Sequence, residues 1–107
     1  MRLTESRRQA VASNAIAHVV QSAILEIRTM AFRREPLLSE IFPGVDYQEQ
    51  IRLIADVCDT LVPALRSDER EKPIEALQYT WESRDENQRR WLRHTLARAH
   101  VDVMRFV

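Results

Sequence analysis

From position 4 to position 32 the apolar residues recur every three or four places. Ala12, Ile16, Val19, Val20, Ala23, Ile24, Ile27, Met30 and Ala31 form one stripe, uninterrupted by Pro or Gly. That period predicts an amphipathic α-helix, opened by Thr4 or Ser6 as its N-cap. At 1.5 Å per residue it would run about 42 Å, long against the radius of gyration of about 13 Å expected for a compact chain of this size. Its far side is not uniformly polar. Asn14, His18 and Gln21 share it with Leu25 and Phe32, which stand seven residues apart. A broad stripe with a smaller apolar pair opposite is the pattern of a helix that touches two partners. These five residues are the predicted oligomer interface.

Positions 33–45 read as a connector containing Pro36, Pro43 and Gly44. Within it Leu37, Leu38, Ile41 and Phe42 predict one helical turn tucked against the core, and Pro43-Gly44 ends it. Asp46, with Glu49 three residues on, predicts the capped start of a second helix over 47–66. Tyr47, Ile51, Ile54, Ala55, Cys58, Leu61, Val62 and Leu65 form its expected stripe, and Pro63 predicts a kink or break near 59–62. Residues 67–72 read as a charged surface link. Pro73 opens a shorter helix lined by Ile74, Leu77 and Trp81. A capping box over 83–86 then starts a last helix running to about 105, with Leu92, Leu96, Ala99, Val103 and Phe106 in line and Trp91 on its flank.

No internal repeat and no alternating strand pattern appears. The expected fold is all-α: one domain over 1–107, a small up-and-down helical bundle of three long helices plus one or two short ones.

Composition narrows the chemistry. One glycine in 107 residues excludes a Gly-rich phosphate loop or dinucleotide fingerprint. One cysteine, Cys58, excludes an internal disulfide and a Cys-rich zinc site. Sixteen basic residues balance sixteen acidic ones, so no global field draws in nucleic acid or an anionic membrane. The balance is uneven along the chain: residues 1–34 carry a net +4, residues 35–71 a net −6 and residues 72–107 a net +2. Oppositely charged segments are expected to face one another. The longest wholly apolar run is three residues, far short of the roughly 20 that span a bilayer. No signal peptide is legible, and the unpaired cysteine places the expected location in the cytoplasm.

The polar groups offer little catalytic chemistry. His94 and His100 are six apart, off the i, i+4 spacing of a helical metal pair, and His18 is on another helix. Asp56 and Asp59 face away from their apolar stripe, and Glu82, Asp85 and Glu86 are explained by capping. Cys58 lies within a stripe, where burial makes a thiol inert. No nucleophile, base, cofactor site or metal site is legible, so the expectation is a protein that is not an enzyme.

Two binding constellations remain. Arg89, Arg90, Arg93 and Arg98 make the last helix the most basic stretch and a candidate for anion or nucleic-acid contacts. They spread over more than half its circumference, however, and Glu86 sits at the spacing of ordinary intrahelical pairs. Trp81 and Trp91 are candidates for a ligand pocket between helices, or Trp91 and Tyr79 for interface anchors. The favoured reading is a self-associating bundle, a homodimer, acting through protein contacts. The alternatives are a nucleic-acid-associated regulator and a small-molecule-binding bundle.

Overall fold

The computed structural model of the chain describes residues 4–66 and 72–107, so the predicted charged link lies almost wholly outside them. Thr4 is the cap of the first helix: its hydroxyl accepts from the Arg7 N–H at 3.2 Å. Helix α1 then runs unbroken over Glu5–Arg33, and Arg34 ends it in the left-handed conformation (φ 55°). Ala12, Ala15, Ile16, Val19, Ala23 and Met30 are its buried line. At 29 residues it spans about 44 Å, the full long dimension of a molecule measuring 44 × 24 × 23 Å.

The connector behaves as its apolar residues require. Phe42 N–H bonds back to the Leu38 carbonyl at 2.7 Å, closing one helical turn that buries Ile41 and Phe42. Leu37 stays exposed. Asp46 caps α2 (Tyr47–Leu61) by accepting from the Glu49 N–H at 2.8 Å. The Glu49 carboxylate does not complete a box; it turns to Arg52 instead.

Helix α2 is rotated relative to the predicted stripe. Gln50, Leu53, Ile54, Val57 and Leu61 are buried, whereas Val62 and Leu65 are exposed and Cys58 is only partly covered. Gln50 causes the difference. Counted as polar it belongs outside, yet it sits in the interior with both ends of its amide bonded: Oε1 accepts from Leu38 N–H at 3.1 Å and Nε2 donates to the Val45 carbonyl at 3.0 Å. The expected break at Pro63 occurs. Proline has no N–H for the α-helical ladder, and Val62–Leu65 continues as a 3-10 turn.

Helix α3 (Pro73–Ser83) buries Ile74, Leu77 and Thr80. The Thr80 hydroxyl lies 2.6 Å from that of Thr60, joining α3 to α2. Helix α4 (Glu86–Arg98) is separate, begun by a reciprocal box of Asp85 and Gln88 rather than one of Ser83 and Glu86. Gln88 is also buried, and its Nε2 donates to the Leu53 carbonyl at 3.0 Å.

Helix α4 stops at Arg98, short of the expected 105. His100 takes the left-handed conformation (φ 61°), and Val101 N–H returns to the Leu96 carbonyl at 2.9 Å. The chain reverses, so Val103 and Phe106 reach the core from a 3-10 turn, Val103–Arg105. A left-handed non-glycine residue costs about 1–2 kcal/mol. Burying those two side chains, at about 1.5–3 kcal/mol each, more than offsets it.

The fold is all-α and 76% helical, with four α-helices and no strand among the described residues. Helix α1 packs against α2, α3 and α4 alike, and buried residues from every element join in one hydrophobic cluster.

Candidate interaction surface

Helix α1 feeds the core with one side and leaves the opposite side bare. Phe32 is 90% exposed, Leu25 68% and Ile24 51%. Asn14 and Gln21 are exposed beside them, while His18 is half-buried with its Nε2 3.5 Å from the Ser22 hydroxyl. All five predicted interface residues thus share one outward line, and Ile24, placed by the sequence in the core stripe, joins them. From Ala10 to Leu25 this helix carries no Asp, Glu, Lys or Arg, in a protein whose residues are 30% charged. Loss of charge at the centre of an exposed patch is the compositional mark of an interface.

Two grooves flank this outward ridge. The larger, about 790 Å³, runs beside the N-terminal half of α1, where Ala10, Ser13 and Asn14 face Ala64, Leu65 and Glu75. The smaller, about 200 Å³, lies on the other flank beside the C-terminal half, between Ser22, Leu25, Glu26 and Thr29 and the side chains of Leu37 and Arg98. One is walled by α3 and the 3-10 turn after α2, the other by the connector and the end of α4.

Glu26 is the least ordinary group in the second groove. Its side chain is 12% exposed, and its Oε2 accepts from the Trp91 Nε1–H at 3.0 Å. Burial raises its pKa above the usual 4.5; the Trp91 hydrogen bond and the charges of Arg98 and His94 pull the other way without cancelling it. The folded state therefore holds this proton more tightly than the unfolded chain does. The stabilisation is present at low pH and is lost as pH rises through the raised pKa. Relative to the parent, Glu26→Gln should remove the gain in stability seen between neutral pH and pH 4.5, measured by urea unfolding at several pH values. Parallel curves for the two proteins would show that Glu26 carries none of that dependence.

The arginines of α4 are occupied within the chain. Arg89 donates through Nε to the Trp81 carbonyl at 2.6 Å and through Nη2 to that of Glu82 at 3.4 Å, satisfying carbonyls that the last turn of α3 leaves open. Arg89 and Arg93 both lie over the Trp81 ring, 5.7 and 5.8 Å from its centre. Arg90 donates to the Ile41 carbonyl at 3.1 Å and so pins the connector. Arg93 is 3.9 Å from Glu86, and Arg98 is 3.7 Å from Glu26. The four do not form one cationic stripe.

The two tryptophans do not come together as a pocket wall. Trp81 is half-buried beneath the arginines, whereas Trp91 is wholly inside. The α4 core face is broad enough to bury Gln88, Trp91, Leu92, Thr95 and Leu96, and Glu26 satisfies the indole N–H. Trp91 is thus a core residue, not an interface anchor. Tyr79 is exposed, on α3.

Catalytic groups are sparse. No cluster of three or more His, Cys, Asp or Glu side chains able to hold a metal occurs among the described residues. Burial, with smaller contributions from Asp59 and Glu26, pushes the Cys58 thiol up to about 11, which suppresses the thiolate at neutral pH.

Helix α1 is long and apolar enough to cross a membrane by length and composition. Counting only unbroken apolar runs missed this. Its buried line is nonetheless shared with all three other helices, so moving α1 into a bilayer would empty the core. No protein-family model, curated protein or solved structure matches this chain.

Proposed function

We propose that this protein is a non-catalytic helical bundle that self-associates as a homodimer and acts through protein contacts made by α1. The observation that carries the reading is the charge-free outer face of that helix, with Leu25 and Phe32 standing in solvent. A second copy is the occupant this face suits. It brings the same uncharged stretch, so two copies meet there without opposing formal charges, whereas the rest of the surface is densely charged. Exposed apolar groups of this size contribute about 1.5–3 kcal/mol each when fully covered.

Light scattering across a dilution series tests this directly. The expected result is twice the 12.6 kDa chain mass at high concentration, falling on dilution. Leu25→Gln combined with Phe32→Gln should weaken dimerisation about a hundredfold or more. Helical content should be unchanged, because both side chains are already exposed in the single chain. A parent protein that scatters as a monomer throughout, or a double variant that keeps its dimer mass, would overturn the reading.

A further inference from the structure

The smaller groove, about 200 Å³, is lined at once by an acid, a base and two leucines. The acid, Glu26, is mostly buried, with its Oε2 held by the Trp91 indole at 3.0 Å. Its Oε1 accepts no hydrogen bond among the described residues; the nearest cationic atom, Arg98 Nη1, stands 3.7 Å away. Buried polar atoms are ordinarily hydrogen-bonded, so Oε1 has acceptor capacity to spare. Burial outweighs the indole, Arg98 and His94 together in setting the Glu26 pKa, and its charge is therefore only partly compensated. Arg98 is exposed, pairs with nothing else among the described residues, and keeps its fork of N–H donors open.

The remaining walls are apolar or accepting. Leu25 on α1 and Leu37 on the connector are both exposed. The Thr29 hydroxyl donates to the Leu25 carbonyl at 2.8 Å, which leaves its oxygen free to accept. Pockets for drug-sized ligands run about 300–1,000 Å³, so this groove suits a smaller molecule.

Charge selects the occupant. A simple amine satisfies Glu26 but lies against the Arg98 guanidinium. A simple carboxylate engages Arg98 but lies against Glu26. A molecule carrying both charges on neighbouring groups meets the pair head to tail, with its ammonium on Glu26 Oε1 and its carboxylate on Arg98. A free α-amino acid has that arrangement, whereas a residue inside a peptide chain has neither charge. We infer that the smaller groove is a binding site for a free α-amino acid, held by Glu26 and Arg98, with an apolar side chain laid against Leu25 and Leu37. Every lining residue comes from one chain, so the site does not depend on the homodimer proposed above.

Calorimetric titration with L-leucine, isoamylamine and isocaproate tests this, the last two being leucine without its carboxylate and without its ammonium. Leucine should bind at one site with a dissociation constant on the order of 1 mM. Each single-charge analogue should bind about tenfold or more weakly. In a Trp81→Phe background, where Trp91 is the one indole, leucine should also shift the fluorescence through the Glu26 contact. Glu26→Gln keeps an acceptor for that indole, and Arg98→Gln alters an exposed side chain. Each should weaken leucine binding about tenfold or more, with circular dichroism showing the fold retained. Isoamylamine binding as tightly as leucine would overturn the zwitterion and the role of Arg98. The absence of saturable binding by leucine, or folded variants that bind it as the parent does, would overturn the site. Light scattering decides the homodimer separately.

Discussion

Replacing Trp91 by alanine should produce the largest loss of stability that a single core truncation can cause in this protein. Trp91 is the largest of its fully buried side chains, at 0% exposure, and truncation of such a residue costs about 3–5 kcal/mol. Small domains hold only about 5–15 kcal/mol in total, so most of the margin would go. The melting midpoint should fall by roughly 12 °C or more. Two effects add. The cavity loses packing between α4 and α1, and the Glu26 carboxylate loses the indole N–H that partly compensates its burial. Trp91→Phe separates them by filling most of the space without a donor, and should cost about 1–3 kcal/mol. Adding Glu26→Gln to Trp91→Phe should recover part of that loss, because an uncharged amide tolerates the site better than an unpaired carboxylate. Urea unfolding followed by circular dichroism reads all four proteins. A Trp91→Ala variant within 1 kcal/mol of the parent would remove Trp91 from the core's essential packing.

What was legible in the chain was what local chemistry decides. The 3.6-residue period and the absence of Pro and Gly identify α1. Thr4 and Asp46 cap the helices they were expected to cap, and Pro63 breaks α2 where a missing N–H must. Leu25 and Phe32 are apolar residues off the main stripe, and they are exposed. The failures share a different physics. Gln50 and Gln88 are polar and buried because backbone groups outside their own helices satisfy them, Leu38 and Val45 in the connector for Gln50 and Leu53 on α2 for Gln88; hydrophobic period cannot place such residues. Trp91 meets Glu26 from 65 positions away. Helix α4 ends at a left-handed His100, with neither Gly nor Pro to signal it. The grooves beside α1 were equally illegible, since their far walls belong to α3, the connector and the end of α4.

Gln50 offers the second large effect, and the clearest test of whether the connector is held by hydrogen bonds or by packing alone. Its side chain bridges Leu38 and Val45, either side of the turn that buries Ile41 and Phe42. Gln50→Leu keeps the volume but leaves one backbone N–H and one carbonyl unpaired in the interior, at about 1–3 kcal/mol each. The expected loss is about 2–4 kcal/mol, with faster amide exchange at Leu38 than at the α1 core positions. Gln50→Glu sharpens the argument through pH. A carboxylate can still accept from Leu38 but faces the Val45 carbonyl with a lone pair, so burial and that carbonyl both raise its folded pKa. Stability must then rise as pH falls toward the ordinary carboxylate range, where the protonated acid donates to Val45 as the amide did. The Leu variant should show no such recovery. If Gln50→Leu matched the parent and Gln50→Glu showed no added pH dependence, Ile41 and Phe42 would be holding the connector unaided, and the two amide hydrogen bonds would contribute nothing to its stability.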